Sequence, residues 1–246
     1  MPIVLFTLTG DIALWRNVYD SMGSYSTLGP APSALAGLCG AALGFAAPRS
    51  MGALCQGEKI PGKSSIWPVA PKLLEWLKTN DIHFACRWTG ADYPRRIPWN
   101  VNGCKEINSS DKRGKEIKSS GNLRIQQQVI EHPCYEVAVR FGELLPMIAA
   151  EELSDALRAP AFRLFLGCSE CPAIVRDVRL ADALPDAANW AFRQNISLGE
   201  VTPFTCLSIS GATSGERLSI DGYWVYPTKN MPGVVQDTPF VRGYSD

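Results

Sequence analysis

Residues 24–45 read SYSTLGPAPSALAGLCGAALGF, and their reading decides the fold of the first half of the chain. Pro30 and Pro32 fix their own φ and bias the residue before each away from helix, so the approach is extended. Ser33 then stands where an N-cap is wanted, its hydroxyl placed to accept from an orphan N–H. Leu35, Leu38, Ala42 and Phe45 follow at helical spacing, with alanines and Gly37, Gly40 and Gly44 between them. So many small residues let a helix approach a sheet closely. The loop before it, Gly23 to Pro32, is polar and carries Tyr25, so the helix N-terminus is expected to face a binding surface, where it could hold a phosphate.

Outward from this helix, Ile3 to Thr9 is apolar on nearly both faces and reads as a central strand. Pro71 to Asn80 is a short amphipathic helix with Pro in its first turn, and Ile82 to Trp88 is a second strand. The composition then changes. Between residues 87 and 124 nine Lys/Arg stand against four Asp/Glu, a net +5 in a chain whose overall formal charge is zero. Residues 89–122 read as one long basic insertion without apolar anchors, expected to have no order of its own. Beyond it, Arg124, Gln126 and Gln128 share one side of an extended segment. Tyr135 to Phe141 alternates as a half-buried strand. Pro146 to Leu157 is a second core helix with Ile148, Leu153 and Leu157 on one face, and Phe162 to Gly167 is a further strand. From Cys168 on, the chain is turn-rich with short strands.

This order predicts an α+β protein with a ferredoxin-like (RRM-like) βαββαβ core, a long basic insertion and a β-rich C-terminal extension. The division expected is residues 1–167 for the ferredoxin-like domain and residues 168–246 for the extension.

Zero net charge leaves no global basic field, so nucleic acid must be met by a local patch. The basic stretch with Trp88, Tyr93 and Trp99 interleaved supplies cations for phosphate and π-faces for unstacked bases. The low-polarity run from Ala31 to Pro48 is too short and too rich in Gly and Pro for a membrane span, and PIVLFTLTGD at the start reads as a strand rather than a signal peptide. The eight cysteines then read as reduced cytosolic thiols. Cys168-Ser-Glu-Cys171 has the spacing of a zinc or redox half-site, but no second such pair exists, and free thiols are the reading. No metal or cofactor is expected. His132 could serve acid–base cleavage of RNA, and its plainer reading is a strand-end residue before Pro133. His83, within an apolar strand, reads as structural. No Walker loop, nucleophile elbow or HExxH occurs.

Several pieces of the chain resemble the RAMP superfamily of CRISPR-associated proteins. They are Gly10-Asp-Ile-Ala-Leu-Trp-Arg16, Ser24-Tyr25, Pro32-Ser-Ala-Leu-Ala-Gly-Leu38 with Gly44, Arg124-Ile-Gln-Gln-Gln128 with Tyr135-Glu-Val137, and Ala156 to Gly167. Within that superfamily the chain is similar to the subunit that caps the 5′ handle of the guide RNA (crRNA) in type I (Cascade) surveillance complexes. The resemblance implies a non-catalytic cytoplasmic assembly protein in antiviral defence. Its partners would be the crRNA, the repeated backbone RAMP subunit, the large PAM-reading subunit and, indirectly, target DNA, with no membrane. Residues 89–122 would be the thumb. Arg16, Tyr25 and Ser33 would contact the handle, and Arg87, Trp88, Lys112, Arg113, Arg124 and Gln126 would serve RNA or the thumb crossing. The chain departs from the family pattern in two places. Gly167 is followed by Cys168 where many relatives carry a basic residue. The tyrosine and adjacent Lys-His pair of the precursor-cleaving branch have no counterpart, which argues against the alternative of a metal-independent endoribonuclease. A plain protein scaffold without an RNA role is the third class.

Overall fold

The computed structural model describes residues 1–15, 26–45, 71–92, 94–110, 116–142, 146–185, 190, 192–194, 205–209, 220–225 and 240–242. In chain order the elements are β1 (Ile3–Thr9), β2 (Ile12–Ala13), α1 (Pro32–Ala42), α2 (Pro71–Thr79), β3 (His83–Trp88), β4 (Arg96–Ser110) and β5 (Glu116–Glu131). They continue with β6 (Cys134–Arg140), α3 (Pro146–Arg158), β7 (Ile174–Ala181), β8 (Phe192–Gln194), β9 (Thr205–Ile209), β10 (Ile220–Val225) and β11 (Val241–Arg242).

The main sheet has the order β11-β3-β6-β1-β7, and its ladders are antiparallel. Helices follow β1 and β6, and each split pair of parallel strands holds an antiparallel strand between its members. This is consistent with the ferredoxin-like expectation. β1 is interior, as its apolar sequence requires. Val4, Phe6, Leu8, Phe84, Cys86, Tyr135, Val137 and Val139 point to the helices and join Leu35, Leu38, Leu73, Leu77, Leu153 and Leu157 in the large core. The opposite face buries a smaller set, Ile3, Leu5, Ala85 and Ala138 under Trp190. Two further sheets have the orders β8-β10-β9 and β2-β5-β4.

Four expectations need correction and one is widened. Ser33 is not the N-cap. Ala31 occupies that position with extended backbone and no side-chain cap, Pro32 opens α1, and Ser33 lies inside the first turn. Pro32 has no N–H, so one orphan donor is absent from the start. The close approach allowed by small residues is made to a helix as well as to the sheet: a Cβ on Gly40 would lie 2.8 Å from the Leu73 side chain of α2, while Leu35 and Leu38 share the core with β1 and β3. β6 is buried on both faces rather than half-buried, because it is interior and Trp190 covers its second side. In α3 the core face is Ala149, Ala150, Leu153 and Leu157, while Ile148 is 64% exposed.

The fifth concerns residues 162–167, which are not a strand. Ala161 N–H donates to Ala42 O and Phe162 N–H to Ala41 O, closing the C-terminal end of α1. Leu166 accepts from Leu14 N–H and donates to Cys171 O. With its amides engaged there, this segment makes only an isolated bridge, Phe165 with Pro172. The fourth core strand is β7, so the main sheet takes strands from either side of Gly167.

Candidate nucleic-acid interface

The basic insertion is built as a ribbon. β4 and β5 pair without a break from Arg96 opposite Ile130 to Ser110 opposite Glu116. At about 3.4 Å per residue this is an arm roughly 50 Å long. Regular pairing needs no apolar side chains, since backbone N–H and C=O satisfy each other across the ladder. The near half of the ribbon does carry apolar residues: Val129 and Ile130 are buried, and Ile97 and Trp99 pack on the main core.

The root of the ribbon is fixed to the start of the chain. β2 pairs with β5, Ile12 opposite Glu131 and Ala13 opposite Ile130, and His132 N–H donates to Asp11 O at 2.8 Å. Segment 26–30 is fixed at the same corner. Ser26 N–H donates to Gln128 O at 2.9 Å, and Arg96 Nε donates to Ser26 O at 2.7 Å. Trp15 N–H donates to Ser26 Oγ at 3.0 Å, and Thr27 N–H to Trp15 O at 2.9 Å. Tyr135, fully buried, joins the pieces: its hydroxyl donates to Leu28 O at 2.6 Å and accepts from Trp15 Nε1 at 3.2 Å. Trp88 sets its ring edge-on to Tyr135 with centroids 5.2 Å apart. The N-terminal turn of α1, the end of the Gly10–Trp15 segment and the base of the ribbon thus meet at one corner.

The sequence-derived site residues divide by position. Ser33 is half-buried in the first turn of α1, beside this corner. Trp88 is half-buried and gives its indole N–H to Asp92 O at 2.6 Å. Gln126 is exposed on β5, and Arg124 lies two residues further along the same strand, opposite Asn102. Arg87 faces the other side of the main sheet. Its guanidinium meets Glu136 Oε2 at 2.7 and 2.8 Å and lies 4.9 Å from the centre of the Trp190 ring. Arg16, Tyr25, Lys112 and Arg113 lie outside the described residues, as does Tyr93.

Sequence reasoning missed Ser26, Thr27, Arg96 and Tyr135 as the residues that hold the corner. The signal for the first two was present: Ser-Thr just before Leu-Gly-Pro is a turn whose hydroxyls bond nearby backbone. Thr27 Oγ1 bonds both Trp15 O and Gly29 O. Among the described residues, no group of three or more His, Cys, Asp or Glu is placed to hold a metal, and no helix is long and apolar enough to cross a membrane.

A sequence profile described as CRISPR-associated protein (Cas_Cas5) matches residues 3–200, from the first residue of β1 to beyond β8. The chain belongs to the CRISPR-associated Cas5 family. Cas5 proteins are RAMP subunits of type I Cascade complexes and bind the 5′ handle of the guide RNA, and in some systems a Cas5 protein processes precursor RNA. Among solved structures, a chain titled CRISPR RNA-guided surveillance complex is similar in fold. Its TM-score is 0.55 at 15% identity, over 91% of this chain and 88% of that one. A protein titled as a Cas protein aligns at 14% identity and TM-score 0.42, over 91% and 95% of the two chains. A functionally uncharacterized protein from Streptococcus mutans aligns at 12% identity and TM-score 0.43, over 93% of each chain. Overlaps as loose as these last two add no weight to the Cas5 assignment. No curated protein sequence matches the chain.

Proposed function

We propose that this Cas5 chain is a non-catalytic cytoplasmic subunit that caps the 5′ handle of the guide RNA in a type I surveillance complex. The β4–β5 ribbon serves as its thumb. The observation that carries this reading is the shared corner. A polar arm about 50 Å long is rooted through Ser26, Arg96 and Gln128 beside the N-terminal turn of α1 and the end of the Gly10–Trp15 segment. RNA held at that corner meets the N-terminal turn of α1 at one side and the base of the arm at the other. The handle contacts are assigned to Arg16, Tyr25 and Ser33. Phosphate contacts along the arm are assigned to Lys112, Arg113 and Arg124, with Gln126 beside them.

Arg95 and Arg96 serve the root itself. Arg96 holds Ser26 O, and Arg95 stands 3.8 Å from Glu131. The arm beyond carries the backbone-subunit crossing. By the same reading, another surface of the chain meets the large PAM-reading subunit.

Both histidines of the chain have structural surroundings, which supports binding over cleavage. His83 Nδ1 lies 2.9 Å from Asp81 O at the start of β3. His132 sits in a left-handed turn (φ 43°) at the opposite end of the sheet, tied by its backbone N–H to Asp11.

The test is retention of labelled repeat-derived RNA over a salt series with EDTA present, with and without the backbone subunit. Salt-sensitive binding of uncut RNA, strengthened by the backbone subunit, is expected. Reversing Lys112 and Arg113 to Glu should weaken binding roughly tenfold or more and flatten the salt dependence by about 0.7 per lost phosphate contact. Affinity unchanged by that reversal would leave a protein scaffold. Discrete cleavage lost in His132→Ala would make the chain a processing nuclease.

A further inference from the structure

The loop that follows the α1-capping segment carries Cys168 and Cys171. Their sulfurs lie 3.3 Å apart, and Cys171 N–H donates to Cys168 O at 3.0 Å, closing the turn between them. A turn closed in this way holds its end Cα atoms within about 7 Å, the range a disulfide requires, and the sulfurs need approach by only about 1.3 Å to bond. The two thiols are unequal. Cys171 is wholly buried, whereas Cys168 is half-buried and reachable from solvent.

We propose that Cys168 and Cys171 form a reversible thiol–disulfide exchange site whose co-reactant is a low-molecular-weight disulfide of the glutathione class. Cys168 is the attacking sulfur and Cys171 the resolving one. The Cys168 thiolate attacks one sulfur of the small disulfide. That S–S bond breaks, a mixed disulfide forms on Cys168, and one small thiolate leaves. Cys171 then loses its proton to solvent and attacks Cys168 Sγ; the mixed disulfide breaks and the second small thiolate leaves. Two electrons pass from the protein dithiol to the small disulfide. The two protein protons end on the two released thiols.

The environment supports this order of attack. The Cys171 thiol, hydrogen-bonded to Cys168, holds the Cys168 pKa below its ordinary value, against burial and the neighbouring Glu170 carboxylate. The same contact, with burial, pushes the Cys171 pKa up. Cys39 supplies the internal contrast: it is fully buried in α1 with its pKa pushed up to about 12, and among the described residues no sulfur is paired with it.

The loop is rigidly seated. Leu14 N–H donates to Leu166 O at 3.0 Å, Leu166 N–H donates to Cys171 O at 2.7 Å, and a Cβ on Gly10 would meet Pro172 O at 2.8 Å. Bond formation therefore acts on a turn already held in place. The inference stands on this geometry and does not depend on the RNA reading.

The experiment equilibrates the full-length chain with mixtures of reduced and oxidised glutathione, quenches in acid, alkylates and digests with trypsin. Residues 164–176 form one tryptic peptide that holds Cys168 and Cys171 and no other cysteine. The expected result is loss of two hydrogens from that peptide as the oxidised fraction rises, reversed by excess reduced glutathione, with Cys39 remaining a free thiol. Cys171→Ser should retain glutathione on Cys168. Cys168→Ser should slow glutathione uptake by the loop about tenfold or more. A peptide that stays a dithiol throughout overturns the proposal. So does a wild-type chain that stops at the mixed disulfide.

Discussion

The two faces of the main sheet are built by different physics from the same three central strands. Toward the helices, Val4, Phe6, Leu8, Phe84, Val137 and Val139 lie in a dry apolar core. Away from them, the fully buried apolar side chains among the described residues are Ile3, Leu5, Ala85, Ala138 and Trp190, and the row beside these residues is ionic. There Glu136 receives Arg87 on Oε2 and Arg179 on Oε1, each at 2.7–2.8 Å, and Arg87 also stacks on Trp190. Thr7, opposite Glu136 in the ladder, bonds Asp177. One face is held by area removed from water and the other by pairing. A single strand, β6, changes from one to the other at every residue.

Neighbouring positions on β6 break this contrast most directly. Glu136→Ala takes the Glu136 carboxylate from Arg87, only 16% exposed at its side chain, while Arg179 at 47% can turn to water. Urea denaturation should show a loss of about 3–5 kcal/mol, and replacing Arg87 and Glu136 together by Met and Leu should recover most of it. Stability unchanged in Glu136→Ala alone would mean that the pairing is ornamental. Val137→Ala, one residue on and facing the helices, should cost about 2–3 kcal/mol through lost burial and the cavity left behind. Its cost should be insensitive to salt, whereas that of Glu136→Ala should shrink as salt screens the exposed partner.

The smallest effect sharpens the description of the dry face. Burial pushes the Cys39 pKa from 9.0 to about 12, so the folded state keeps a proton that the unfolded chain releases. That contribution is fully present below pH 9 and is lost as pH rises from 9 toward 12. Its slope is at most about 1.4 kcal/mol per pH unit. Comparing wild type with Cys39→Ala at pH 8 and pH 10 isolates it: the stability gap between the two should narrow at the higher pH. A gap that does not change would mean that water reaches this helix.

Period was legible in the sequence wherever it was regular. β1, α1, α2, β3, β6 and α3 all follow from apolar spacing, because each packs one face or both against the core. β7 escaped for a physical reason. Asp177, with φ 53°, sits in a bulge at which the register with β1 shifts between Leu5 and Thr7. Val175 and Val178 therefore both pack toward the helices although three residues apart, and no alternation of two survives. Phe162-Arg-Leu-Phe-Leu166 offered that alternation instead, yet its backbone caps α1 and seats the cysteine turn. The ribbon was hidden by composition: its far half has the residues of a loop, and alternation is confined to its near half, at Ile97, Trp99 and Val101 on one strand and Leu123, Ile125 and Val129 on the other. The corner that roots it rests on hydroxyl-to-backbone bonds between residues far apart in sequence. Such bonds leave no periodic trace, and Tyr135 to Leu28 spans 107 positions.

The closure of α1 by Ala161 and Phe162 has a consequence for how the chain is made. The helix ends at Ala42; Leu43, Gly44 and Phe45 close on Cys39, Ala41 and Gly40 locally, but the amide that pairs with Ala42 O, and a second one on Ala41 O, are about 120 residues downstream. At 5–20 residues per second, the ribosome needs roughly 6–24 seconds to supply them. Through that interval the Ala42 carbonyl is without its partner, and β6, which lies between β1 and β3, emerges only near its end. The closing of the first helix therefore waits for the second half of the core, after α3 has been made.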